Sequence, residues 1–477
     1  MSSRAWRWAG VVALWALGAG AADWSQGRGD ASNGAFAVLI APKSPTVHAW
    51  TSEGTGRVLG YEPGMTVWSS PSVGVVEGHA VLFVGGYDHF IWALDAANGE
   101  VRWKYATGDG VFATPILWND GERLVVFAAS NDREVYALEA SSGRRLWSTA
   151  LETYRPTLGG ARLSSPCVGR VGGDDALFVG SWVFDRSLGR SLQRGAVSAL
   201  SARSGKLLWS TTMGDNEMTA PICFESGGRR RIALGSNDGN LHVLDAETGQ
   251  PVWKHTEHDG IVSAPALVEL DGGVKLLVTG SRYGEVRALD ASDGTERWRL
   301  KTADRITGSP ATAVIDGRPL VFVPSYDRHL YALDARSGAV VWRALARGGY
   351  YSAPSVALGR EPIVLASAWD HALHGIDLRT GIERFLFFTG APLWDVGGLD
   401  SSTWSSPISA SINGTMMAFA GSYDGRLRGL PLEALVLERV SHRSAVKFWL
   451  SLPLTVGPIV ALALWLTRRH RQKAKVL

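Results

Sequence analysis

One phrase recurs along this chain with little variation: IWALDAANGEVRW, VYALEASSGRRLW, VSALSARSGKLLW, LHVLDAETGQPVW, VRALDASDGTERW, LYALDARSGAVVW and LHGIDLRTGIERF. Its final aromatics, Trp103, Trp147, Trp209, Trp253, Trp298, Trp342 and Phe385, are separated by 44, 62, 44, 45, 44 and 43 residues. A period near 44, stretched once, is that of propeller blades, and it replaces the several independent domains that 477 residues would otherwise suggest.

A second marker, a small residue followed by proline, occurs eight times: Ser70-Pro71, Thr114-Pro115, Ser165-Pro166, Ala220-Pro221, Ala264-Pro265, Ser309-Pro310, Ala353-Pro354 and Ser406-Pro407. Between the markers lies a β-branched and aromatic run broken by one turn, as in LVFVPSYDRHLYAL, which predicts two strands joined as a hairpin. Each unit thus supplies four strands, A to D. Eight units predict an all-β, eight-bladed β-propeller with four-stranded antiparallel blades. Small residues before each proline relieve crowding where the A strands converge. Asp95, Asp245, Asp290 and Asp334 open the C–D turn, and Gly99, Gly249, Gly294 and Gly338 close it with positive φ. The tryptophan opening strand D is expected to dock between one blade and the next. The eighth copy, RLRGLPLEALVLERV, lacks both turn glycine and tryptophan. Residues 57–62 are expected to complete it by pairing beside 427–430, which removes two sheet edges.

The ends read differently. Residues 1–22 have a basic start, an apolar stretch and small residues at Ala19, Gly20, Ala21 and Ala22, the pattern of a signal peptide. Residues 448–467 carry no charge and are long enough to cross a bilayer, with Trp449 and Trp465 near the two interfaces. Arg468, Arg469, Arg471, Lys473 and Lys475 follow, which places the C-terminus in the cytoplasm. The expected organisation is a signal peptide (1–22), a propeller (23–430), a connector (431–447), a transmembrane helix (448–467) and a basic cytoplasmic tail (468–477). This describes a single-pass protein of the bacterial inner membrane, its propeller in the periplasm and its C-terminal helix in the lipid bilayer. Net charge is +3, and without its basic ends the chain is net acidic, which argues against nucleic acid as a partner.

Three stretches depart from the repeat length: 151–163 and 389–403 between strands D and A, and 182–194 between strands B and C. In an antiparallel meander all three emerge on one face, where long irregular loops on a rigid scaffold are expected to bind. They carry Tyr154, Arg155 and Arg162; Trp182, Arg186, Arg190 and Arg194; and Trp394 and Asp395, with Trp404 just beyond. Exposed Trp, Tyr and Arg are common interface anchors, so the face is assigned to a periplasmic or membrane protein partner. Trp394 and Trp404 could equally plug the channel mouth, because tryptophan is usually well buried. Trp68, Phe112, Tyr351 and Trp404, three residues before their prolines, are placed around that mouth.

Cys167 and Cys223 follow their prolines by one and two residues in strand A of the third and fourth blades. Both can face one interblade gap, as a disulfide or as two buried thiols. His255-x-x-His258 and His371-x-x-His374 have a spacing that points side chains to opposite sides of a strand, so both pairs are read as surface features rather than metal ligands.

The Ala-Leu-Asp-Ala-x-x-Gly-x-x-x-Trp phrase resembles the tryptophan-docking motif of the pyrroloquinoline-quinone-type (PQQ-like) propeller repeat family, over about residues 24–430. That resemblance implies the propeller fold and covers both quinoprotein dehydrogenases and the BamB-like noncatalytic periplasmic propellers. Quinoprotein members of the family carry a disulfide between adjacent cysteines, an aspartate base and a calcium ion. Here the two cysteines are not adjacent, and no Cys-x-x-Cys-His haem motif occurs. The expectation is a noncatalytic protein-interaction scaffold or assembly factor with no cofactor. The alternative is a membrane-bound PQQ-dependent quinoprotein oxidoreductase using PQQ with calcium.

Overall fold

A computed structural model describes residues 69–151, 159–185, 190–213, 219–257, 260–358, 361–370, 372–388, 405–421 and 427–432, and the backbone of 50–51. Of the side chains in these ranges, those of 159–161, 183–185, 190–194 and 388 are not described. The described residues form eight antiparallel sheets, the blades of a β-propeller. Blade 1 sets the pattern, with strands A (Ser72–Val76), B (His79–Gly85), C (Phe90–Asp95) and D (Val101–Ala106) in that spatial order. Strands B and C are buried almost without interruption, as in Leu124–Ala129 and Glu134–Glu139 of blade 2, because a blade has neighbours on both faces. Strand D alternates exposed and half-buried positions, as in Val101–Ala106 and Pro251–Thr256.

That aromatic holds one register throughout. Ala93 pairs with Trp103, Ala137 with Trp147, Ala332 with Trp342 and Gly375 with Phe385, each followed by a one-residue irregularity where the C–D turn begins. The indole then reaches the next blade. Trp103, Trp147, Trp209, Trp298 and Trp342 donate Nε1–H to the carbonyls of Ala140, Ala202, Ala246, Ala335 and Leu378, at 2.8–3.1 Å. Trp253 packs alike, although its buried Nε1 finds no acceptor among the described residues.

The turn glycine of the receiving blade is the other half of the joint. Gly338 sits at φ 71°, and a Cβ there would lie 2.6 Å from Cε3 and 2.7 Å from Cδ2 of Trp298. Gly143, Gly205, Gly249, Gly294 and Gly381 meet the preceding tryptophan in the same way. The glycine is therefore required twice, for left-handed backbone and for room under an indole.

The ring closes differently from the expectation. Blade 8 takes its outer strand from the N-terminus, but the strand is Trp50–Thr51 rather than 57–62. Trp50 pairs with Gly429, the position equivalent to Ala93, and so stands in the docking register of the other seven aromatics. The inner rim closes too: the Ser406 N–H donates to Ser70 Oγ at 2.8 Å. The same bond links Thr114 to Ser165, Ala264 to Ser309 and Ala353 to Ser406, so serine before proline serves as an interblade acceptor as well as a small residue.

Cys167 and Cys223 form a disulfide that joins the A strands of blades 3 and 4, with Cα atoms 6.4 Å apart. No helix among the described residues is long and apolar enough to cross a membrane. Pro431, expected to open the connector, ends the pairing of strands B and C in blade 8 instead, and the signal peptide, the rest of the connector from 433, the transmembrane helix and the tail lie outside the described residues.

Candidate partner-binding face

The face carrying the B–C and D–A connections is fastened by a repeated aspartate. Asp88, Asp132, Asp238, Asp327 and Asp370 occupy the B–C turns, and each faces a side chain four residues later on strand C: Trp92, Tyr136, His242, Tyr331 and His374. Tyr136 and Tyr331 donate their hydroxyls at 2.7 Å, and the Trp92 indole donates at 3.1 Å. Three of these carboxylates also accept a backbone N–H from the D–A loop of the preceding blade: Gly108 to Asp132 (2.6 Å), Ala303 to Asp327 (3.0 Å) and Arg347 to Asp370 (3.0 Å). Such charge-assisted bonds hold connecting loops to the frame. Burial raises the Asp327 carboxyl, but the donors from Tyr331, Ala303 and His329 more than reverse this, and its pKa lies below the usual carboxylate value. Asp88 has fewer donors, and burial pushes it up to about 7.

Blade 5 solves the same problem in reverse. Its B–C turn has Tyr283 where the others have aspartate, followed by Gly284 at φ 78°, where a Cβ would fall on the Asp304 carbonyl. Arg287 replaces the aromatic donor, and a counter-charge comes from the preceding blade: Glu257 Oε1 forms an ion pair with Arg287 Nε at 3.3 Å. Glu285 and Glu296 also face this guanidinium. Burial raises Glu257 to about 7, against the pull of Arg287. His255 lies beside the cluster with Nε2 buried and unpartnered among the described residues, and burial and Arg287 both lower its pKa.

His374 corrects an expectation. It is 2% exposed, with Nε2 3.1 Å from Asp370 Oδ1 and Nδ1 2.7 Å from Glu383 Oε1, and its ring stands edge-on to Tyr350 at 5.3 Å. Burial lowers its pKa, but the two carboxylates more than compensate, so the pKa is raised and the imidazolium is favoured. It belongs to the blade frame, not the surface; its expected mate His371, and His258, lie outside the described residues. Among the described residues no three His, Cys, Asp or Glu side chains converge as a metal site.

Two of the three long stretches are sheet rather than irregular loop. Strands B and C of blade 3 run Asp174–Asp185 and Arg190–Ser201, twice the usual length, and Gly159–Leu163 adds along the outer half of strand B. The apolar, aromatic and β-branched run ALFVGSWVF lets pairing continue past the blade, so strands B and C stay paired out to Asp185 and Arg190. Blade 3 thus raises a three-stranded extension on this face. Within it, Arg162 pairs with Trp182, which is half-buried against Phe178, Val197 and Leu234. Arg190 and Arg194 lie on strand C by backbone position. Tyr154, Arg155, Arg186, Trp394, Asp395 and Trp404 lie outside the described residues.

The structure also gathers surface aromatics that were only partly foreseen. Phe112 meets Tyr87 edge-on at 5.4 Å, and the Arg162 guanidinium lies 5.6 Å from the Phe112 ring. Tyr351 meets Trp369 at 5.7 Å, Tyr326 lies 6.3 Å from Trp369, and Arg305 stacks on Tyr326 at 4.3 Å. Tyr87, Tyr326 and Trp369 each stand immediately before a latch aspartate, a regularity visible in GYD, SYD and AWD.

The disulfide bridges two blades instead of adjacent residues, the five B–C turn aspartates are engaged as latches, and no cluster of described His, Cys, Asp or Glu side chains could hold a metal ion, so the described residues do not fit a PQQ and calcium site.

Comparison with known proteins follows the same lines. The family model described as outer membrane protein assembly factor BamB matches residues 54–182, 193–282 and 282–434. Among solved structures, BamB from Moraxella catarrhalis is 18% identical with a TM-score of 0.53, covering 76% of this chain and 93% of that one. The quinohemoprotein alcohol dehydrogenase ADHIIG from Pseudomonas putida HK5 is 15% identical with a TM-score of 0.59, covering 82% and 76%. At these identities the likeness concerns the fold alone. The 1-butanol dehydrogenase (quinone) of Thauera butanivorans is 44% identical over 45 residues, which is 9% of this chain and only 7% of that protein.

Proposed function

Because the chain belongs to the family of outer membrane protein assembly factor BamB, we propose that it is a noncatalytic scaffold or assembly factor for a protein partner. The observation that carries this reading is the three-stranded extension of blade 3, raised on a face whose loops are pinned by the aspartate latches. A rigid platform of half-exposed Tyr, Trp and Arg suits protein recognition. The partner is periplasmic or membrane-bound, and the propeller is exported by residues 1–22 and held at the inner membrane by 448–467, with the tail in the cytoplasm.

The test is photocrosslinking of the full chain in its native membrane from position 186 and from exposed Arg305, with position 317 on the opposite face as control. Recovery of one partner from 186 and 305 supports the reading; recovery from 317 alone overturns the choice of face. In parallel, PQQ and calcium are added to the purified chain. Stoichiometric retention of PQQ with alcohol-dependent dye reduction would establish the alternative, an oxidoreductase.

A further inference from the structure

The disulfide of blades 3 and 4 is not sealed in the core. Cys167 and Cys223 are each only partly buried, and Cys223, not Cys167, lines a cavity of about 310 Å³ together with Gly169, Arg170, Phe178, Arg230 and Arg231. This cavity shares Glu225, Arg230 and Arg231 with an open groove of about 700 Å³ on the outer part of blade 4, which gives a continuous way in from solvent. Gly169 keeps the approach clear: a Cβ there would lie 3.3 Å from Cys223 Sγ. Three arginines and one glutamate line the inner cavity, and Arg229 adds a fourth guanidinium on the groove. Arg170, Arg230 and Arg231 are tied to Asp175, Glu247 and Asp245, which fixes the guanidiniums in place while reducing their net charge.

We infer that this cavity is a thiol-exchange site, which admits a low-molecular-weight thiol bearing carboxylates to Cys223. The volume suits a ligand of two or three residues. The arginines bind its carboxylates and bring its thiolate to the one sulfur that faces the cavity. The incoming thiolate attacks Cys223 Sγ, the Sγ–Sγ bond breaks, and Cys167 leaves as thiolate and takes a proton from water. The product is a mixed disulfide on Cys223. A second thiol then releases a small-molecule disulfide and leaves Cys223 reduced, so two thiols are oxidised for one disulfide reduced. Exchange removes the covalent tie between blades 3 and 4, next to the raised extension of blade 3. The inference stands independently of the proposed scaffold role.

The probes are glutathione and its glycine ethyl ester, which share a thiol but differ by one carboxylate, applied to the full folded chain and followed by intact mass and peptide mapping. The expected result is a mixed disulfide on Cys223, formed about threefold or more faster by glutathione than by the ester at low salt. The ratio should fall towards one in about 0.5 M salt and in Arg170→Gln, a variant at a largely exposed side chain. Attack at Cys167, equal rates for the two probes, or reaction only when the chain is unfolded would each overturn the assignment.

Discussion

Replacing Gly338 by alanine perturbs the interblade joint at a single atom. The new methyl must adopt φ 71° and would lie 2.6 Å from the Trp298 ring. Left-handed backbone in a residue with a Cβ costs about 1–2 kcal/mol, and forcing an extra carbon into a packed interior adds about 1–3 kcal/mol. If the indole tilts away, its 2.8 Å bond to the Ala335 carbonyl is strained or lost, at about 1 kcal/mol. The expected total is about 3–6 kcal/mol. Gly317 supplies the control on the same blade, because it has φ 75° with nothing within 4 Å of a Cβ. Gly317→Ala carries only the backbone cost of about 1–2 kcal/mol. The unfolding entropy of a body this large makes each kcal/mol worth about 1 °C, so calorimetry should show a loss of about 3–6 °C for Gly338→Ala and about 1–2 °C for Gly317→Ala. Trp298→Phe should then narrow the gap between the two glycine variants. Equal losses for Gly338→Ala and Gly317→Ala would refute the docking argument and leave backbone strain as the whole effect.

Stability should fall between pH 5 and pH 8. Glu257 has a pKa raised to about 7 from 4.5, so its neutral form is favoured by the fold, and that contribution, up to about 3 kcal/mol, is present below 4.5 and lost as pH rises through 7. His374 acts in the same direction, its contribution being complete below its ordinary value of 6.5 and lost as pH rises past its raised pKa. Thermal melts of Glu257→Gln against the parent should show a flatter pH profile, and an unchanged profile would rule out this origin. Converting Cys167 and Cys223 to alanine removes a tie that spans 56 residues, and the chain-entropy model gives about 4 kcal/mol, to be read from denaturant melts with and without reductant. Asp327→Asn weakens the acceptor for the Ala303 N–H, so hydrogen exchange at that amide should accelerate about tenfold while the Ser325 amide, bonded to the His329 carbonyl, stays protected.

Blade number was legible because the docking tryptophan and turn glycine are two halves of one joint, and a joint repeated six times leaves a period that no local ambiguity can hide. The closing strand was misplaced because a strand-capable segment does not declare its neighbour. The segment 57–62 matched a strand–turn pattern, while Trp50, which matched the docking register, stood without its usual preceding turn. The blade 3 extension was read as loop because a strand-forming composition shows that residues can pair but not where pairing stops. His374 was placed on the surface from a spacing rule. Its burial comes from Asp370 four residues before and Glu383 across the strand pair, partners that only the assembled blade supplies. The latch was nonetheless in plain view as Asp-x-x-x-Trp, Tyr or His in five of the repeats.

The closure of the ring has a consequence for how such a chain reaches its native state. Trp50 meets Gly429, and Ser70 meets Ser406, so the first and last parts of the propeller to be synthesised must find each other. Loop closure over such a separation is slow compared with forming any one hairpin. Until blade 8 emerges, the nascent propeller is an open arc with one wet edge at each end, exposed to strands of other chains. The final blade is thus a timing device: it determines when the open edges stop being available to other chains.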